Sequence, residues 1–416
     1  MRYSRFFVLI FVSPLVFFTL SCSLRGNKTA VLWTDRPEFA FYAEYFNTAQ
    51  EQYKVEVRYF NYPAQKLTTT TDYPDIVAGS WLKSSSTRVF FRALDGYFNS
   101  RNLSKNAFYP RLLAMGNIDN KQYLLPVSFN APVVIFARER AELLSNPFTI
   151  GFEEMKNLGK DFNRVNSGVY TRMGFSPAWN DNFLYITADL FNVSFREANP
   201  LAWDSQALER AMGYIYSWTS EINTGVQAED DFTFKYFYDP PAKLVLSGRI
   251  LFTNINSDDF FSLSEEQRSS LDFRWISEKN TIPLIEGSPY LALVKKSKAP
   301  KAAMAFINWF YQADTQRYIL EKNRDNRMFE TNFGISGGFS SIRSVTEQIF
   351  PQFYPDLLGH MPPEEFLSPA NILPQNWIPL KEYTILPYLR ERARLPNRDN
   401  ITPLERRISD WLRLNN

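Results

Sequence analysis

The chain has 416 residues, with 46 Lys and Arg against 44 Asp and Glu; it is longer than one hydrophobic core usually serves, and its net charge of +2 offers no basic surface for nucleic acid. Hydrophobic residues at 45% and charged residues at 22% exclude a globally disordered chain, and aromatic residues at 16% supply both core and ring-lined sites. A single Cys excludes an intrachain disulfide, and a single His, His360, leaves no His/Cys zinc set, so neither metal nor cofactor is expected.

Arg2 and Arg5 precede the apolar run Phe6 to Leu20, which has the length of a signal-peptide core and falls short of a spanning helix. Ser21 and Cys22 close this run and resemble a bacterial lipobox, with Thr19 standing where Leu is usual. The resemblance implies a signal peptide over 1–21, a lipidated, palmitate-bearing Cys22, and a short polar tether over 22–28. The folded body then lies in the periplasm or at the cell surface, anchored to a membrane.

Thr29 to Thr34 reads as a short strand, and Phe39, Tyr42, Ala43 and Phe46 fall on one helical face after it. Val55 to Tyr59 alternates as a second strand, and Pro74 to Gly79 is a buried strand ending in glycine. This order predicts an α/β protein with mainly parallel sheets.

Further along, Trp33-Thr34-Asp35, "YPDIVAG" from Tyr73, "KQYLLPVSFN" from Lys121 and "SGRILFT" from Ser247 follow in order. The block Glu286 to Ser297 then leads into Ala299 to Phe310, where Ala303, Phe306, Ile307 and Phe310 share a helical face. Together with Leu373 to Trp377 and a closing helix over Thr402 to Leu414, these landmarks resemble the sugar- and oligosaccharide-binding family of extracellular solute-binding proteins of ABC importers. The resemblance implies a type II periplasmic-binding-protein-like fold of two lobes, with a cleft between them and a hinge crossed about three times. Lobe one is placed at 29–130 and 283–326, and lobe two at 131–278 and 334–416. It also implies a monomer that captures a sugar and presents it to ABC permease subunits, without catalysis.

Sugar binding needs planar hydrogen-bonding groups for paired hydroxyls and aromatic faces for the C–H side of the ring. The family places such groups after strand ends, which here points to Asp35, to Ser80 and Trp81, and to Asn130 at the first crossing. In lobe two the corresponding positions are Trp179 and Asn180, then Asn256, where the family often carries Gly and Trp at 256 and 257. Tyr290 and Trp377 complete the set. Each residue also has a structural reading: Asp35 as a helix N-cap, Asn130 as a hinge amide, Tyr290 and Trp377 as core.

Gly334 to Gly338 matches the nucleophile-elbow pattern literally, but His360 is the only possible base, so a glycine-rich hinge loop is expected. The acid pairs Asp230-Asp231, Asp258-Asp259 and Glu364-Glu365 are expected on solvated surface, because adjacent carboxylates seldom converge on one glycosidic bond. A secreted glycan-active enzyme and a sensory or adhesive lipoprotein are the alternatives.

Overall fold

A computed structural model describes residues 28–98, 103–328, 331–395 and 401–415, so the signal segment and Cys22 lie outside the described residues. The strand Thr29–Thr34 sits at the heart of a five-stranded sheet. It pairs in parallel with Lys54–Tyr59 and with Ile76–Gly79, in the order the sequence predicts. One strand is reversed: Tyr290–Leu293 returns from far along the chain antiparallel to Ile76–Gly79, and on its other edge Leu124–Pro126 pairs antiparallel to it and so runs with the first three.

Side chains alternate across this sheet. Ala30 and Leu32 join a cluster that includes the helices Glu38–Ala49 and Pro300–Phe310. In it Phe46 meets Phe306 at 5.4 Å and Phe39 meets Phe310 at 5.5 Å between ring centres. Trp33 and Val77 face a second, smaller cluster. Buried Asp75 is the sheet's polar anchor. Its carboxylate accepts from the N–H of Val31 (2.9 Å), the N–H of Ala299 (2.7 Å) and the Ser297 hydroxyl (2.6 Å). It thereby fixes the first strand and the start of the Pro300 helix to the same point.

A four-stranded sheet organises the second half, in the order Thr253–Asn256, Pro132–Ala137, Leu271–Ile276 and Thr149–Ile150. Only the last pair is parallel. The expectation of mainly parallel sheets therefore holds in the first sheet, where only Tyr290–Leu293 is reversed, and is corrected in the second, where strands from distant segments flank Pro132–Ala137 antiparallel on both sides. Val134 and Phe136 face a cluster containing the helices Phe152–Phe162, Asp181–Leu190, Ser205–Ile222 and Leu386–Arg394. Val133 and Ile135 face the other way and join the first cluster, where Phe333 and Phe339 also pack.

The segment around Phe339 bridges the two sheets. Phe339–Ser340 pairs with Ser128–Phe129 just before the Pro132 strand, and the Phe339 ring lies 5.8 Å from Trp275. The strand Ile282–Pro283 pairs with Leu367–Ser368, so several chain passages run side by side between the sheets. Among the described residues no helix is long and apolar enough to cross a membrane.

Candidate functional site

The first strand ends at Thr34, whose hydroxyl accepts from the N–H of Arg36 at 2.9 Å and turns the chain. Asp35 does not cap the following helix, which begins after Pro37 without a side-chain cap. Its Oδ2 instead accepts from the N–H of Ser80 at 3.0 Å, joining two neighbouring strand ends. Arg36 lies across this junction. Its Nη2 donates to Ser80 Oγ at 3.0 Å and to the Gly287 carbonyl at 3.4 Å, and its Nε stands 3.5 Å from Asp35 Oδ1.

Trp81 takes a left-handed backbone, φ 62°, which is uncommon for a bulky residue and marks a position held by its surroundings. The half-buried ring is pressed against Gly287, itself at φ 77°, where a Cβ would come within 3.0 Å of the indole. Glycine is required there on both counts. A side chain at 287 would push Trp81 out of place.

Asn130 stands at the passage between the sheets, and its amide is engaged at both ends. Its NH2 donates to the Gly337 carbonyl at 2.7 Å, and its Oδ1 accepts from Ser257 Oγ at 2.8 Å. Beside it opens a chamber of about 110 Å³ lined by Arg36, Asn130, Asp258, Glu286, Ser336 and Gly337, among others. Asp258, expected on the surface, is half-buried here. Burial, and then the neighbouring Asp259, push its carboxyl up to about 6.

A cavity of about 300 Å³ adjoins the chamber through Arg36, Glu286 and Gly287, and adds Ser80, Trp81, Asn182 and Lys381. Lys381 forms an ion pair with Glu286, and its ammonium sits 3.8 Å above the centre of the Tyr185 ring. Asn182 and Leu386 lead on into a third cavity, of about 520 Å³, walled by Phe175, Trp179, Phe232, Tyr236, Phe237 and Phe252 with others. Asn180 lines it too, but its Oδ1 caps the Asp181–Leu190 helix by accepting from Phe183 N–H at 3.0 Å. Beneath Trp179, fully buried Glu229 accepts from the N–H of Ala178 (3.1 Å) and from Asn223 Nδ2 (2.7 Å). Its burial pushes the carboxyl up to about 7.

Ser80, Trp81, Asn130, Trp179 and Asn180 thus gather around one line of cavities, and Asp35 stands behind it, holding Ser80 and facing a separate pocket of about 20 Å³. The remaining three do not. Asn256 ends its strand outside all three cavities. Tyr290 is core: its hydroxyl donates to the Leu112 carbonyl at 3.1 Å, and the cavity it borders with Trp81 and Lys83 holds only about 20 Å³. Trp377 is 0% exposed, between Tyr185 and Phe195, and starts a short helix where a loop was expected. An aromatic residue in an apolar pocket is driven to bury, and local sequence does not show which pocket receives it.

Arg36, Asp258, Glu286, Ser336 and Lys381 were not anticipated. Arg36 and Glu286 adjoin motifs already recognised, whereas Lys381 lies in a helical stretch with no local signal. The Gly334 to Gly338 segment is a tight turn with Ser336 at φ 50°, and the ring of His360 faces Arg274 and Asp272. Asp230 is bound by Arg394 through two bonds of 2.8 Å, and Glu364 by Arg343.

The family model of the bacterial extracellular solute-binding proteins matches residues 42–324, more than half of the chain. The chain belongs to this family. As an extracellular solute-binding protein it works on the periplasmic or cell-surface side. No curated sequence matches it. Solved structures of binding proteins share its fold over most of their length. A sugar-binding protein from the phytopathogen Xanthomonas citri has a TM-score of 0.64 at 12% identity, covering 92% of this chain and 95% of that one. A cyclic alpha-maltosyl-1,6-maltose binding protein from Arthrobacter globiformis reaches 0.62 at 15% identity, covering 92% and 97%. An ABC substrate-binding protein from Listeria monocytogenes, in complex with cycloalternan, reaches 0.60 at 12% identity, also covering 92% and 97%. The solute-binding protein therefore has the two-lobed fold of these molecules.

Proposed function

We propose that the solute is a sugar or oligosaccharide, captured between the lobes and delivered to an ABC permease. The observation that carries this reading is the line of three joined cavities, about 110, 300 and 520 Å³, in which the faces of Trp81 and Trp179 stand beside carboxylate, amide and guanidinium groups. Pyranose rings need that combination: an apolar C–H face on an aromatic ring, and paired hydroxyls on planar polar groups. The names of the structural relatives, one a sugar-binding protein and one a cyclic alpha-maltosyl-1,6-maltose binding protein, support the same reading.

In this mechanism Trp81 and Trp179 stack on the ligand. Arg36, held in place by Asp35 and Ser80, reaches its hydroxyls, and Asn180 offers its amide NH2 beside Trp179. Asn130 sets the floor. Passages near 129–132, 275–283 and 326–334 act as the hinge, between lobe one (29–130 and 283–326) and lobe two (131–278 and 334–416). A ligand touching both lobes binds the closed form better and shifts the population toward it, the mode of hinge closure used by periplasmic binding proteins. No bond of the ligand is broken. Lipid on Cys22 keeps the body near the permease.

The test is a binding screen of the purified protein against a glycan library, with amino acids and peptides alongside. Selective glycan binding is expected; tight, selective binding of an amino acid or peptide instead would overturn the sugar assignment.

A further inference from the structure

The chamber between Asn130 and Ser336 has a chemical bias of its own. Ser336 is 1% exposed and held in a left-handed conformation, with its N–H donating to the Tyr42 hydroxyl at 2.9 Å and its carbonyl accepting from Ser128 at 3.3 Å. Its backbone is fully occupied, yet its hydroxyl lines the chamber with no partner. A buried, unpartnered hydroxyl on a strained residue is a cost the fold retains, and such positions concentrate at ligand clamps.

The other unpartnered atoms around it are mostly acceptors. Asp258 Oδ1 is buried without a hydrogen bond, and so is Glu38 Oε2. The Glu38 carboxylate lies 3.8 Å from where a Cβ on Gly337 would stand, at the chamber wall. Asn130 spends one N–H on Gly337 and receives the Ser257 hydroxyl on Oδ1, so its amide keeps one N–H and one lone pair. Arg36 has committed its Nη2 and turns its Nε to Asp35, which leaves Nη1 as its one cationic donor for the solute's hydroxyls.

Charge points the same way. Three carboxylates, Asp35, Glu38 and Asp258, surround one guanidinium, and Glu286 is already neutralised by Lys381. Carboxylates can only accept, so what completes this set is a donor carrying positive charge. An ammonium group has three donors and fits a chamber of about 110 Å³ together with part of a sugar ring.

We propose that this chamber receives a protonated primary amine of the solute, so that the solute is an amino sugar or a glycan ending in one. This rests on the sugar reading above. Burial raises the carboxyls of both Glu38 and Asp258, the latter to about 6, and an ammonium beside them offsets that burial. The charged groups facing Asp258 are Asp259 on its own helix, Arg36 from the first strand end, and Glu286 with its partner Lys381, while Asp35 and Glu38 flank the same Arg36.

Calorimetric titration of the full chain tests this with glucosamine, galactosamine and mannosamine and their short oligomers, each against its N-acetyl form and its parent neutral sugar, at pH 7 and pH 5. At least one free amine is expected to bind ten times tighter than both counterparts at pH 7. The advantage should shrink at pH 5, as Asp258 takes up a proton. Asp258→Asn and, separately, Glu38→Gln are each expected to erase most of the amine preference while the neutral sugar still binds. Glycan binding with no amine preference anywhere in the set overturns the amine proposal and leaves the sugar reading standing. If simple alkylamines bind as tightly as the amino sugars, or only amino acids bind, the sugar reading falls instead.

Discussion

Asn130 and Ser257 are joined by a 2.8 Å hydrogen bond from the Ser257 hydroxyl to the Asn130 side-chain oxygen, while the Asn130 NH2 holds the Gly337 carbonyl. One amide therefore ties a strand of the second sheet, the helix that follows its edge strand, and the Gly334 to Gly338 turn. Asn130→Ala is expected to lower stability by about 1–3 kcal/mol, because two buried polar groups lose their partner. Ser257→Ala should cost less, and the two together should be less than additive. Urea denaturation of the three variants measures this; an unchanged midpoint for Asn130→Ala would show that water replaces the amide.

Three tryptophans separate binding from packing. Trp81→Ala and Trp179→Ala are each expected to weaken ligand binding at least tenfold, about 1.4 kcal/mol, in a protein that remains folded. Trp377→Ala should do the reverse, costing about 3–5 kcal/mol of stability by leaving a cavity. Titration calorimetry and thermal denaturation together distinguish the two. Unchanged affinity in both Trp81→Ala and Trp179→Ala would remove these rings from the site.

Glu229 makes stability depend on pH. Burial raises its carboxyl from the ordinary 4.5 to about 7, so between these values the folded protein holds a proton that the unfolded chain has released. Stability contributed at this position therefore falls as pH rises from about 4.5 to about 7, and is level above. Glu229→Gln should flatten the curve in that window. Denaturation midpoints at intervals across it provide the measurement; a slope as steep in the variant would assign the effect elsewhere.

Cys22→Ala should release the protein from membranes into the soluble fraction. Stable anchoring takes more than one acyl chain, which bacterial modification of a single cysteine supplies. Fractionation of cells expressing each form is the readout, and membrane retention of the variant would sink the tether.

Much of this arrangement is readable from the chain, and the limits have physical causes. Ile76 to Gly79 is a continuous apolar run ending in glycine, so both the strand and the placement of Ser80 and Trp81 at its end follow from sequence alone. The left-handed turn of Trp81 does not follow, because the indole's seat against Gly287 is made by a turn that arrives from far along the chain. Asp35 was a reasonable helix cap by its neighbours; the competing donor, Ser80 N–H, belongs to a strand paired beside it rather than to the next turn. The Glu286–Lys381 pair joins residues from unrelated segments, so no local pattern announces it. Trp81, Trp179 and Asn180 were legible from the turns that hold them, and the partners that distant segments bring to those turns were not.

The carboxylate of Asp75 has a kinetic corollary. Val31 and Ala299 donate their amide protons to the two oxygens of one buried carboxylate, so an opening that frees Asp75 exposes both protons at once. In hydrogen exchange these two amides, distant in the chain, should report a single opening event with matching protection, close to that of global unfolding. The first strand and the Pro300 helix, though far apart in the chain, then open as one unit about a single carboxylate.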